Sequence, residues 1–193
     1  MVKTLTGALA YLHKHEIVHR DLKPENVIVR KNDDPVLVDF GLARGQEDLK
    51  LTRSGIIMGT PLFMSPEQVQ GDPDRVGTAS DIFALGVMVY NATTGSYPFF
   101  SETPRELYEC IVNKDPTPPS RLAPGLPADI DVICAKCLEK DPKARYETAG
   151  GLAGDLLNCA IGDPISATRV ATMVRVWRRM RRKPVVFTSV VAF

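Results

Sequence analysis

The chain has 193 residues, which is the length of one ordinary domain and enough to bury a sizeable core. Its hydrophobic fraction of 44% and charged fraction of 24% are typical of a globular protein. The net charge of +1 hides an asymmetry, because residues 175–183 hold six of the 24 basic residues. The rest carries 18 basic against 23 acidic residues. Since a nucleic-acid-binding protein more often spreads basic charge over a folded face, this distribution argues against that class.

Hydrophobic spacing in the first third predicts one helix and one β-hairpin. Leucines at helical spacing predict a buried helix over residues 2–15. Short apolar runs at 27–29 and 36–38, separated by turn residues, predict the two strands of the hairpin. Residues 42–66 show little regular pattern, so we interpret them as a loop.

The second half of the chain is predicted to be helical. Residues 79–94 are apolar almost all round, which indicates a central buried helix. Residues 104–113, 127–138 and 148–160 show helical patterns between proline-rich turns. The predicted fold is therefore mainly α with a small β-hairpin.

Two motifs flank the predicted hairpin. Residues 19–26 read His-Arg-Asp-Leu-Lys-Pro-Glu-Asn, and Asp39-Phe40-Gly41 follows the second strand. The hairpin would deliver Asn26 at one side and Asp39 at the other, and both offer the hard oxygen ligands that Mg²⁺ prefers. Together the motifs resemble the catalytic loop and the metal-binding triplet of protein kinases.

This resemblance implies phosphoryl transfer from ATP with Mg²⁺ as cofactor. Asp21 would accept the proton of the substrate hydroxyl, and Lys23 two residues later is typical of kinases that act on Ser and Thr. Asn26 and Asp39 would bind the metal that holds the nucleotide. Gly41 would allow the backbone turn after the metal ligand.

The resemblance continues downstream of these motifs. Met64-Ser65-Pro66-Glu67 is similar to the end of the family's activation segment, with serine in place of alanine. By resemblance, Glu67 pairs with Arg145, and Asp81 braces the catalytic loop. Thr60 would hydrogen-bond near the catalytic aspartate and favour Ser or Thr acceptors.

The resemblance also implies control by phosphorylation. In the family, the arginine that corresponds to Arg20 holds a phosphate on the activation loop and orders that loop. Thr52 and Ser54 are the candidate sites. The alternative is that both are ordinary loop hydroxyls.

No G-x-G-x-x-G occurs in the 193 residues, although the family's amino-terminal lobe uses that loop to cover the phosphates. We therefore expect residues 1–162 to form a kinase carboxy-terminal lobe, with the amino-terminal lobe absent. The expected function is a Ser/Thr protein kinase of the bacterial, membrane-anchored type, inactive as this chain alone. The alternative is a non-catalytic lobe that serves as a binding or scaffold module.

The last segment suggests a membrane anchor. Residues 163–184 are interpreted as a basic juxtamembrane segment, and residues 185–193 as the start of a transmembrane helix that continues beyond Phe193. Because basic residues stay on the cytoplasmic side of spanning helices, the lobe would lie at the cytoplasmic face. A solvated basic helix or an anionic-lipid surface anchor is the alternative.

A remote alternative is a zinc protease, because His15-Glu16-Ile17-Val18-His19 matches H-E-x-x-H. That chemistry requires His15 and His19 on one helical face, with Glu16 as the base. The two β-branched residues between them and the nearby Pro24 disfavour such a helix.

Overall fold

The structure, a computed structural model, describes residues 2–31, 34–39 and 61–168. Within these ranges it contains seven α-helices and one two-stranded antiparallel sheet. The helices are α1 (Val2–Lys14), α2 (Pro66–Val69), α3 (Thr78–Thr94), α4 (Pro104–Asn113), α5 (Pro119–Leu122), α6 (Ala128–Cys137) and α7 (Ala149–Ile161). The strands are β1 (Val27–Val29) and β2 (Pro35–Leu37), and short 3-10 turns lie at Pro24–Asn26, Pro61–Phe63 and Pro142–Ala144.

The predicted mainly α fold with a small hairpin is confirmed. The five longer helices lie within two residues of their predicted bounds, and β2 begins one residue earlier than predicted. Neither α2 nor α5 was predicted, because four residues are too few to show a helical period. The predicted loop over 42–66 is wrong at its end, where Pro61–Phe63 forms a 3-10 turn and α2 begins at Pro66.

Helix α3 forms the centre of the core, as its apolar composition requires. Ile82, Phe83, Leu85 and Tyr90 are at most 1% exposed although they point in different directions around the helix. The helix ends at Gly95, whose φ of 69° lies in the left-handed region that glycine adopts without strain. Helix α3 contacts α5, α6 and the 3-10 turns at Pro61–Phe63 and Pro142–Ala144, so it can fix side chains on several elements at once.

One contact between α3 and α6 depends on a glycine. A Cβ atom at Gly86 would clash with the Cβ atom of Cys137, far inside van der Waals contact. The absence of a side chain at Gly86 therefore lets the two helix backbones approach closely.

Helix α1 packs against α7 and β2, and it leads directly into the segment before the hairpin. Leu5 and Leu9 are buried at 4% and 0% exposure, as their spacing predicts. In the sheet, Val27 pairs with Leu37 in antiparallel register. The segment between α1 and β1 is thus held at both ends by packed elements.

The chain after α7 is fastened to the core by Asp155, which is 2% exposed. Its carboxylate accepts the Tyr146 hydroxyl at 2.8 Å and the backbone N–H groups of Ser166 and Ala167 at 2.7 and 2.9 Å. Burial by itself raises the pKa of Asp155, but these hydrogen bonds lower it by more, so the pKa lies below its ordinary value. A charged Asp155 therefore holds the chain as far as Ala167.

Candidate active site

The segment that carries the first motif begins where α1 ends. Glu16 has a φ of 60°, and its N–H donates to His13 O at 3.0 Å, while the N–H of Ile17 donates to Leu12 O at 3.0 Å. These two bonds form a Schellman motif, in which one left-handed residue terminates the helix. The chain therefore leaves the helix axis just before His19.

This helix end shows that the zinc-protease interpretation is wrong. His15 lies beyond the last residue of α1, so it does not share a helical face with His19. His19 is fully buried, and its Nε2 lies 3.1 Å from the backbone oxygen of Val38. Among the residues that the structure describes, no group of three His, Cys, Asp or Glu side chains could hold a metal ion.

Asp81, near the start of α3, lies beneath the catalytic-loop motif and is 1% exposed. Its Oδ1 accepts the N–H of Arg20 at 2.8 Å, and its Oδ2 accepts the N–H of His19 at 2.8 Å. His13 Nε2 lies 2.9 Å from the same Oδ2. One buried carboxylate thus joins α1, the loop and α3.

Asp21 follows directly on this anchored pair and is partly exposed. Its Oδ2 accepts a hydrogen bond from the Lys23 ammonium at 3.0 Å. The Asn26 amide donates to the same oxygen at 3.2 Å. Asn26 Nδ2 also donates to the backbone oxygen of Asp21 at 2.7 Å. The carboxylate is therefore oriented by a cation and by an amide, while 26% of the side-chain surface remains open to a substrate.

The hairpin brings Asn26 and Asp39 to the same end of the sheet. Asn26 directly precedes β1, and its backbone oxygen accepts the N–H of Val38 at 3.0 Å. Asp39 follows Val38 in the sequence and is exposed, with a φ of 55°. Because Nδ2 of Asn26 donates to Asp21, the Oδ1 atom of Asn26 remains for binding a cation.

This donor set fits Mg²⁺, which takes oxygen ligands and is commonly bound through one or two carboxylates together with substrate phosphates. Asn26 and Asp39 would hold the ion.

Glu67, in α2, forms a buried ion pair with Arg145. Arg145 Nη1 and Nη2 donate to Glu67 Oε1 and Oε2 at 2.7 and 2.8 Å, and Ser80 Oγ donates to Oε1 at 2.6 Å. Burial by itself raises the pKa of Glu67. The hydrogen bonds and the positive charge of Arg145, together with the hydrogen bond from Ser80, lower the pKa by more, so it lies below its ordinary value. The pair fixes α2 against α3 and the 3-10 turn at Pro142–Ala144.

A neighbouring residue that sequence reasoning missed connects α2 to the catalytic loop. Gln68 Nε2 donates to the backbone oxygen of Arg20 at 2.7 Å. Gln68 Oε1 accepts the N–H and the hydroxyl of Ser65 at 3.0 and 3.1 Å. The partner lies 48 residues away in the sequence, so no local pattern indicates this bond.

Several predicted sites lie outside the described residues. These are Gly41, Thr52, Ser54, Thr60, the basic run 175–183 and the apolar run 185–193. Across 2–31, 34–39 and 61–168, no helix has both the length and the apolar character needed to cross a bilayer.

The fold and the two motifs define a class of protein. The family model for the protein kinase domain matches residues 1–156, and the chain belongs to that family. The match covers α1, the catalytic loop, the hairpin and most of the helical region that surrounds them.

Named relatives are bacterial serine/threonine-protein kinases. The chain is 37% identical over 167 residues to the serine/threonine-protein kinase PknB of Mycobacterium tuberculosis, covering 86% of this chain and 26% of that protein. It is 36% identical over 163 residues to a probable serine/threonine-protein kinase of Streptomyces coelicolor, covering 83% and 24%. The identity to a probable kinase of Clostridium acetobutylicum is 32% over 169 residues, covering 86% and 25%. The chain thus spans about a quarter of the length of these relatives.

Proposed function

We propose that this chain supplies the catalytic lobe of a Ser/Thr protein kinase, which transfers the γ-phosphate of ATP to a protein hydroxyl. The observation that carries the proposal is the arrangement around Asp21. Lys23 and Asn26 orient its carboxylate, while Asp39 lies at the same hairpin end as Asn26. An oriented base beside two oxygen ligands is what phosphoryl transfer to a hydroxyl requires.

In the proposed reaction, the substrate hydroxyl oxygen forms a bond to the γ-phosphorus as the bond from that phosphorus to the β–γ bridging oxygen breaks. Asp21 accepts the proton that the hydroxyl loses. Lys23 contacts Asp21 Oδ2 at 3.0 Å, so its ammonium lies where it can neutralise charge on the transferred group. Mg²⁺, when bound, neutralises charge on the phosphate oxygens.

Asp39→Asn tests this proposal through the metal. In the full-length gene product, we expect the variant to lose Mg²⁺-dependent nucleotide binding in calorimetry, because an amide binds Mg²⁺ more weakly than a carboxylate. Asp74→Asn is the matched control, since Asp74 is exposed and distant in the sequence from the motifs. Unchanged magnesium dependence in Asp39→Asn would contradict the metal role.

The alternative of a non-catalytic scaffold is supported by no specific observation. Asp21, Asn26 and Asp39 are all present, and the first two are joined by hydrogen bonds. A scaffold has no need of a base held by a cation and an amide, so the catalytic proposal explains more of the site.

A regulatory proposal concerns Arg20, whose side chain is exposed. Phosphate on Thr52 or Ser54 would pair with its guanidinium through charge-assisted hydrogen bonds and order the activation segment. Mass spectrometry of the active kinase should find phosphate on one of the two residues. Full activity of the Thr52→Ala/Ser54→Ala double variant would refute this switch.

A location proposal is based on charge and hydrophobicity in the sequence. The six basic residues of 175–183 directly precede the apolar run 185–193, which favours a lobe held at the cytoplasmic face of a membrane. Fractionation of cells that express the full-length gene product should place the kinase in the membrane pellet. Recovery in the supernatant at low salt would refute the anchor.

A further inference from the structure

The side-chain amide of Gln68 both accepts and donates hydrogen bonds. Its oxygen accepts the N–H and the hydroxyl of Ser65, which precedes α2, at 3.0 and 3.1 Å. Its nitrogen donates to the backbone oxygen of Arg20 at 2.7 Å. The amide therefore bridges the beginning of α2 and the residue before Asp21.

Arg20 is in a conformation that needs such support. Its φ of 66° lies in the left-handed region, which is unfavourable for a residue with a Cβ atom. Its N–H is bound by Asp81 Oδ1 at 2.8 Å, and its carbonyl oxygen is bound by Gln68 at 2.7 Å. Both polar groups of this strained residue are thus held, one from α3 and one from α2.

The beginning of α2, from which the Gln68 side chain extends, is held by buried contacts. The preceding residue, Glu67, is 1% exposed and is held by two hydrogen bonds from Arg145 and one from Ser80. Ser65, three residues before Gln68, is also fully buried. Since Ser65 and Glu67 are both held in place, the Gln68 amide has little freedom to follow a displaced loop.

We propose that Gln68 is a positioning residue for Asp21, because it fixes the Arg20 carbonyl and hence the peptide that leads into Asp21. This inference rests on the proposed kinase function. The side chain does not touch the reacting atoms. Its effect is to keep the Asp21 carboxylate in the orientation that proton transfer requires, where an error of about 1 Å costs on the order of 10²-fold in rate.

The chemistry explains why a glutamine suits this position. The bond to Arg20 needs a donor, and the bonds from Ser65 need an acceptor, so a neutral amide satisfies both. A carboxylate would still accept from Ser65 but would turn an oxygen towards the Arg20 carbonyl. A lysine would donate to Arg20 but could not accept from Ser65.

Gln68→Glu isolates the bond to Arg20, because it keeps the acceptor for Ser65 and the length of the side chain. Gln70→Glu is the matched control, since Gln70 is the exposed residue that follows α2. In the full-length kinase, we expect the Arg20 N–H to exchange with deuterium at least tenfold faster in Gln68→Glu than in wild type. The melting temperature and the exchange of α3 amides should remain those of wild type.

In the full-length kinase, Gln68→Glu should lower kcat at least tenfold and leave KM for ATP within about twofold, whereas Gln70→Glu should change neither. Unchanged exchange at Arg20, or faster exchange with an unchanged kcat, would overturn the proposal. A lowered melting temperature with equal losses in kcat and nucleotide binding would assign Gln68 a structural role and also overturn it. A wild-type protein without transfer activity would refute the proposed function instead, and exchange at Arg20 would still decide whether Gln68 holds the loop.

Discussion

Arg145 and Glu67 lie 78 residues apart in the sequence and face each other through two parallel hydrogen bonds of 2.7 and 2.8 Å. Such fork-to-fork geometry is specific to arginine, because its guanidinium presents two N–H groups to the two carboxylate oxygens. Both side chains are almost fully buried, at 4% and 1% exposure. Each charge is therefore stabilised by the other rather than by water.

Arg145→Met should lower the free energy of unfolding by about 3–5 kcal/mol, because it leaves the Glu67 carboxylate buried without its cation. Urea denaturation measures this loss. Arg75→Met is the matched control, since Arg75 and Asp141 are 3.8 Å apart and each side chain is 47% exposed. The control should change stability by less than about 1 kcal/mol. Equal effects in the two variants would contradict the importance of burial.

The same ion pair predicts a pH dependence. The folded-state pKa of Glu67 is lower than the value of 4.5 that it has when unperturbed, so unfolding at acid pH takes up a proton. The contribution of Glu67 to stability is therefore complete above about pH 4.5 and is lost as the pH falls through the lowered pKa. Denaturation midpoints measured from pH 6 to pH 3 should fall more steeply in wild type than in Glu67→Gln. Parallel curves would contradict this assignment.

Asp21→Asn should reduce phosphate transfer by the full-length kinase about 10²- to 10⁴-fold, because an amide cannot accept the proton of the hydroxyl. KM for ATP should change little, since Asp21 is not one of the proposed metal ligands. Transfer of labelled phosphate to a Ser/Thr peptide measures the rate. Asp74→Asn again provides the control, and transfer at the wild-type rate by Asp21→Asn would show that another group is the base.

Gly86→Ala should destabilise the protein by about 1–3 kcal/mol, because the added Cβ would clash with Cys137 Cβ and would force α3 and α6 apart. Gly154→Ala is the matched control in α7, where a Cβ would meet nothing within 4 Å. That variant should instead stabilise the protein by about 0.5–1 kcal/mol through helix propensity. Thermal denaturation of both variants measures these changes in stability. Stabilisation by Gly86→Ala would contradict the close approach of α3 and α6.

Glu16→Gly should stabilise the protein by about 0.5–1 kcal/mol, because glycine adopts the left-handed conformation of the Schellman motif without steric cost. The same change at Glu109, an exposed position inside α4, should destabilise by about the same amount. Opposite signs in urea denaturation would support the conformation of Glu16. Destabilisation by both variants would contradict it.

The longer elements could be predicted from the sequence because each carries its own period. The apolar faces of α1 and α4 and the all-apolar α3 needed no partner to be recognised. The short helix α2 could not be found in this way, since four residues hold barely one turn and its stability comes from the buried Glu67. Tertiary contact, rather than local pattern, decides such an element.

The chemistry of the site was predictable to a similar extent. Asp21, Asn26 and Asp39 stand in contiguous motifs, so a resemblance indicated them directly. Gln68 and His13 were missed, because their partners, the carbonyl of Arg20 and the carboxylate of Asp81, are 48 and 68 residues away. Residues that hold the catalytic loop from a distance leave no spacing signal in the sequence.

The anchoring of the loop by Asp81 also sets an order of events during synthesis. The N–H groups of His19 and Arg20 leave the ribosome about 60 residues before their acceptor does. At about 5–20 residues per second, this gap lasts about 3–12 seconds. A nascent chain that ends before Asp81 therefore carries the complete His-Arg-Asp motif but has no folded active-site loop. The proposed phosphoryl transfer therefore requires that α3 has first emerged and packed.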